Sequence, residues 1–234
     1  MPIEMMVRKL RSHSELPDED VEALRAIIAP VKHMSGNAHI VREGELSTQC
    51  CVLMSGFAYR SKVSENGKRQ ILSFHIAGDM PDLQGLAIKR MDHDLITLSK
   101  ATVGFINHDR LEQTLSTRPV LTRALWRETL TDSARFRQWI VNLGTRDAAG
   151  RMAYLLAELR QRLAAMGLVA NEQFDFPITQ SKLADALGLS VVHVNRILQA
   201  FRASGVLDFK RHIVTLRDLE KIVELGGFDE LGAD

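Results

Sequence analysis

The stretch FPITQSKLADALGLSVVHVNRILQAFRASGVLDFK, residues 176–210, decides how the rest of the chain is read. Leu183, Ala186 and Leu187 recur at helical spacing, and Thr179 stands where an N-cap belongs. Gly188 supplies the permissive backbone of a helix end, and Leu189 plugs the corner that follows. Ser190 caps a second helix, whose inner face is Val194, Ile197, Leu198 and Phe201. Val191, Val192, His193, Asn195 and Arg196 are left facing outward near its N-terminal end. A helix-turn-helix offers the first turns of its second helix to the DNA major groove, so these five residues would meet bases and phosphates. Helix pairs of this spacing also occur in ordinary bundles. The outward set, the helix stop at Ser204-Gly205 and the strand-like sequence after it favour DNA.

With 234 residues the chain is long enough for two modest domains, and its 45% hydrophobic and 25% charged content is that of a soluble globular protein. The formal net charge of +1 creates no global basic field. DNA affinity must then rest on a local patch, for which Arg196, Arg202, Lys210 and Arg211 are placed. Two adjacent cysteines, Cys50 and Cys51, cannot build a disulfide framework and fit a reduced compartment. On their strand one side chain should point into the domain and the other outward. No run of eighteen apolar residues and no signal-peptide core is present, which points to the cytoplasm and away from membranes.

From Met5 to Ile28 the sequence reads as helical. Short strands follow: His39 to Gly44, Cys51 to Gly56, Phe57 to Val63 and Arg69 to Ile76, then Leu95 to Leu98 and Thr102 to Ile106. The Asn66-Gly67 pair marks a hairpin. This pattern describes a small antiparallel barrel or jelly roll. After Asp109 the period turns helical. Pro119 opens a long helix to about Leu143, and Asp147 caps the next, Ala148 to Ala165. Leu121, Leu125, Phe136, Ile140 and Leu143, with Trp126, Leu130 and Trp139 nearby, form a stripe suited to a dimer seam. Packing on its own barrel is the competing reading. The expected fold is α+β: an antiparallel β-roll over residues 1–117, a long dimerisation helix and hinge over 118–146, and a winged helix-turn-helix over 147–234.

Arg42-Glu43-Gly44-Glu45, Leu53-Met54-Ser55-Gly56, Asn66-Gly67-Lys68, Ile71-Leu72-Ser73, Gly78-Asp79 and Asp147 to Ala153, followed by the helix-turn-helix, resemble the Crp-Fnr family of bacterial transcription regulators. The resemblance implies a homodimer on a two-fold symmetric double-stranded DNA site, with a recognition helix in each of two successive major grooves and RNA polymerase as a further partner. The loop Gly167 to Phe174 is one candidate contact for that polymerase. Arg196 occupies the family's arginine position, where a bidentate contact to guanine O6 and N7 is the expected chemistry. Val192 stands at the usual glutamate position, preceded by Val191; neither can accept from cytosine N4, and a valine can cover a thymine methyl. His193 and Asn195 are further candidate base or phosphate contacts. Gln180, Ser181 and Ser190, with a wing around Lys210, Arg211 and His212, would meet the backbone.

In the sensory half the likeness predicts an effector pocket at Asp82, Leu83, Gln84, His93, Asp94, Phe136 and Arg137. Cyclic-AMP binders of the family carry a Gly-Glu pair and an Arg-Ser pair there. This chain offers no arginine for the phosphate, and Phe136-Arg137 replaces the polar pair that receives adenine. Cyclic AMP is therefore not the expected effector. The N-terminus has no cysteines, which removes the iron–sulfur mechanism. Haem through His75, His93 or His108, an unknown small molecule, or no ligand at all remain open. Two other classes compete. A cupin-like metal enzyme would need a close His-x-His, and these histidines stand singly, so no metal site is expected. A ligand-binding subunit acting through a protein partner is the third reading.

Overall fold

The computed structural model describes residues 3–228, so the outermost residues of the expected 1–117 and 147–234 domains lie outside the described part. The chain divides into two compact units, Met1–Phe136 and Arg137–Asp234.

The first unit opens with α1 (Glu4–Arg11) and α2 (Asp18–Ile27). Met6, Val7 and Leu10 bury one face of α1, and Val21 and Leu24 one face of α2. Seven strands follow: β1 (Val31–Met34), β2 (His39–Val41), β3 (Gln49–Ser55), β4 (Ala58–Val63), β5 (Arg69–His75), β6 (Asp94–Thr97) and β7 (Ala101–Asn107). A 3-10 turn at Leu83–Leu86 interrupts them. They form two antiparallel sheets, ordered β1-β7-β3 and β2-β6-β4-β5, which make the roll. The Asn66-Gly67 hairpin joins β4 to β5, closing on the pair Val63 and Arg69. β1 carries no signal in the sequence; Val31, Lys32 and His33 are all exposed at a sheet edge.

Two apolar clusters flank β3. Cys51 and Leu53 face the roll interior with Leu95, Val103 and Phe105. Cys50, Val52 and Met54 face the opposite way, into a core closed by α1, α2, α3 (His108–Thr117) and the start of α4 (Pro119–Thr145). The alternation expected for the two cysteines is present, but the outward one meets a second core instead of water. Both thiols are fully buried, and burial pushes each well above its usual range. They are inert small side chains here.

The same core corrects the reading of the long helix. Leu121 and Leu125, expected on a dimer seam, are 0% and 2% exposed and pack in this cluster. Phe136 and Leu143 are half-buried, and Ile140 is exposed. The large apolar side chains that α4 leaves in solvent are Trp126, Leu130, Ile140 and Val141. The N-terminal turns of the helix thus serve their own roll, as the competing reading had it.

The second unit contains α5 (Ala148–Ala165), β8 (Gln173–Asp175), α6 (Gln180–Leu187), α7 (Val191–Ala203), β9 (Leu207–Lys210), β10 (Ile213–Leu216) and α8 (Leu219–Gly226). Asp147 caps α5 by accepting from the Gly150 amide at 2.7 Å. The strands form one antiparallel sheet, β8-β10-β9, beside the helix pair.

Candidate nucleic-acid interface and effector cleft

The helix pair is set by its caps. Thr179 accepts from the Lys182 amide at 3.3 Å and starts α6; Ser190 accepts from the His193 amide at 3.2 Å and starts α7. Between them Gly188 adopts φ +66°, the left-handed end a side chain would strain. Leu183, Ala186 and Leu187 of α6 and Val194, Ile197, Leu198 and Phe201 of α7 are buried, which fixes the rotation of both helices. Val191, Val192, Asn195 and Arg196 are thereby exposed on the first two turns of α7, with His193 half-buried at their flank. Val192, 69% exposed, is an apolar side chain held in water. Gln180 and Ser181 are exposed at the start of α6.

β9 and β10 form the wing, and its tip is tight. Lys210 pairs with Ile213, leaving Arg211 and His212 as a two-residue turn with φ +50° and +68°. Such a turn prefers Asn-Gly, and placing two bulky residues there costs on the order of 1 kcal/mol each. The basic patch inferred from sequence is only partly free. Asp208 accepts from Arg202 Nε at 2.9 Å and pairs with Lys210 Nζ at 2.7 Å. Hydrogen bonding from Lys210, and then from Arg202, holds the Asp208 carboxyl below the usual range. Arg202 is thus committed to the wing.

The expected effector residues do not assemble into one pocket. Leu83 and Gln84 line a cleft open to solvent, together with the charged Lys9, Asp79, Glu128, Asp132 and Arg135 and with His75. Asp82 turns away instead and accepts from the Cys51 amide at 2.7 Å, its other oxygen buried without a partner. Burial raises its pKa to about 6 against the pull of that amide. His93 is buried against Asp92 at 2.7 Å, and Asp94 is spent on the Glu43 amide at 2.9 Å. Arg137 is exposed. Phe136 receives the guanidinium of Arg60, 5.1 Å from its ring centre.

Sequence reasoning missed the residues that organise this cleft. Arg60 of β4, 2% exposed, donates to Asp132 at 2.6 Å and, through Nε, to the Pro81 carbonyl at 2.9 Å. An arginine is therefore present in the roll, and its fork is occupied. Lys9 reaches Asp79 at 2.8 Å and also pairs with Glu128, which His13 holds at 2.8 Å. Burial alone would raise Glu128; the His13 hydrogen bond and the Lys9 charge outweigh it and leave the carboxyl low. His75 sits between Ser73 at 2.9 Å and Asp79 at 3.4 Å. Burial, with the nearby Arg60 charge, lowers its pKa to about 4, so it is neutral. Among the described residues no group of three or more His, Cys, Asp or Glu is placed to hold a metal ion. No described helix is long and apolar enough to cross a membrane.

Comparison with known proteins agrees with this geometry. Residues 31–118 match the cyclic nucleotide-binding domain and residues 150–225 the Crp-like helix-turn-helix domain. The chain is 28% identical to an anaerobic regulatory protein of Haemophilus influenzae over 214 residues, covering 91% of this chain and 82% of that one. It is 26% identical to the transcriptional activator FnrA of Stutzerimonas stutzeri, over 89% and 85% of the two chains. Among solved structures, FixK2 from Bradyrhizobium japonicum superposes with a TM-score of 0.77 at 23% identity, covering 88% of this chain and all of that one. CLP of Xanthomonas campestris, described as c-di-GMP-responsive, gives 0.67 at 19% identity, over 86% and 99%. The fold and its paired domains define a regulator that meets DNA through a helix-turn-helix. The chain belongs to the Crp-Fnr family of transcription regulators.

Proposed function

We propose that the protein works as a homodimer in the cytoplasm, reads a two-fold symmetric DNA site through α7, and does not respond to cyclic AMP. The observation that carries the reading is the outer face of α7, where Arg196 and two valines stand in solvent beside a capped N-terminus. Arg196 is suited to guanine O6 and N7, and Val192 to a thymine methyl, so the half-site joins a guanine to a neighbouring thymine. Asn195 and His193 flank them. Gln180, Ser181, Ser190, Lys210 and Arg211 contribute phosphate contacts.

The seam of the dimer is the exposed stripe on α4. Trp126 and Ile140 stand two heptads apart, with Leu130 one turn after Trp126. Against cyclic AMP stands the prior engagement of Arg60, whose guanidinium is taken by Asp132 and the Pro81 carbonyl and so is not offered to a phosphate. Contact with RNA polymerase is assigned to the hairpin at Ala170–Gln173, braced by the two-pronged Arg160–Glu172 pair at 2.7 and 2.8 Å.

The test is selection of sites from random duplex DNA, followed by anisotropy titrations across a salt series. A palindrome whose half-site has adjacent guanine and thymine, bound with a steep salt slope, supports the reading. Absence of a thymine preference sinks the valine assignment. Ile140→Glu should halve the mass in solution and abolish tight binding to the palindrome.

A further inference from the structure

We propose that the cleft of the N-terminal unit is a binding site for a primary alkylammonium, and that its resident ligand is the chain's own Lys9. The inference deepens the preceding proposal, from which it takes that the N-terminal unit does not respond to cyclic AMP. Three elements meet there. Asp79 follows β5, Glu128 lies on α4, and Lys9 is carried in from α1. The lysine side chain is 14% exposed and its ammonium lies against both carboxylates. An ammonium has three donors and no preferred plane, which suits two carboxylates converging from different directions; the Arg60 guanidinium instead gives one nitrogen to Asp132 and the other two to the Pro81 carbonyl.

Each partner is held independently of Lys9. Asp79 accepts from the Ile76 amide at 3.0 Å, and His13 holds Glu128. α1 is held too. Its apolar face lies in the core, and Gly78, at φ +97°, approaches so closely that a Cβ there would stand 2.9 Å from the Met5 carbonyl. The carrier, the slot and the counter-charges are thus all preformed. Met80, Leu83 and Thr129 also line the cleft. α1 acts as a tethered effector: it ties α4 to the roll through Glu128, so wild-type DNA affinity needs no added small molecule. Take the lysine away, and a free amine of matching length can fill its place.

Cutting Lys9 back to alanine removes three carbons and the ammonium, so n-propylamine is the matching probe. Thermal unfolding of the full chain is followed for wild type, Lys9→Ala and Lys9→Met, each with millimolar n-propylamine or n-propanol. Lys9→Ala should melt about 5–15 °C lower, since one buried charge of a pair is lost. n-Propylamine should restore most of that shift and propanol none. Lys9→Met should be lowered and stay unrescued, because its thioether stem fills the slot. If Lys9→Ala does not fold alone, refolding yield with and without the amine reads the same two results. A Lys9→Ala protein that melts like wild type overturns the proposal, as does an amine that raises both variants equally. DNA affinity of the same samples separates the two readings. Rescue of melting without any wild-type DNA binding leaves the ammonium site and removes the DNA-reading function. DNA binding without rescue does the reverse.

Discussion

The face of α7 and the cleft beneath α1 are opposite solutions to holding functional side chains. On α7, buried Val194, Ile197, Leu198 and Phe201 fix the helix while Val192 and Arg196 are left in water with nothing to satisfy them. In the cleft every principal charge already has a partner: Arg60 with Asp132, Lys9 with Asp79 and Glu128, and His13 with Glu128. A surface that waits for a macromolecule keeps its groups uncommitted, whereas a site already filled consumes them. Motif reading finds the first kind easily because its residues are local. The second kind is visible only once the chain has closed.

The hardest blow to this contrast falls on α4, where the helix serves the roll at one end and is proposed to serve a partner further along. Leu121→Ala should cost about 2–5 kcal/mol of stability in a denaturant titration and leave the mass in solution that of a dimer. Loss of the dimer at unchanged stability would return Leu121 to the seam.

The buried ionisable groups of the first unit can be probed by pH. Asp82, raised to about 6, contributes stability that is fully present below its unfolded pKa and lost as pH rises through about 6. His75, lowered to about 4, contributes stability that is present above its unfolded pKa and lost as pH falls through about 4. The two oppose each other across the same window and nearly cancel. Asp82→Asn should uncover acid destabilisation, and His75→Gln the reverse slope, each on the order of 3 kcal/mol across the window. Parallel melting curves for the three proteins would contradict this.

On α7 the effects are smaller and specific. Arg196→Ala should lose about 1–3 kcal/mol on the selected site and flatten preference at one base pair. Arg202→Ala, whose guanidinium is engaged by Asp208, should lose less and keep the same sequence preference in the same titration. Smallest is the wing. His212→Gly should raise stability by up to about 1 kcal/mol, because glycine accepts a left-handed backbone without strain, while DNA affinity falls or stays level.

The recognition unit was legible because its signals are local and mutually consistent. Thr179, Gly188 and Ser190 each announce a helix end, and the apolar spacing between them fixes which residues face out. The roll was legible for the same reason, through Asn66-Gly67, though the exposed edge β1 was not, and β4 does not alternate in burial, since Ala58, Tyr59, Arg60 and Ser61 are all buried. The cleft was hidden because its partners are far apart in sequence, 70 residues from Lys9 to Asp79 and 115 from His13 to Glu128. Arg60 reads as an ordinary polar position on a strand until Asp132, 72 residues on, covers it. Leu121 and Leu125 show a different limit: a helical stripe says that something covers it, not what.

The turn at Arg211 and His212 has a consequence for motion. A hairpin whose tip disfavours its own backbone opens more often than one closed by Asn-Gly, so the amides of β9 and β10 near the tip should exchange with solvent faster than those of α7. Bound phosphates would hold the tip shut, and the wing should then slow its exchange more than any other part of the second unit.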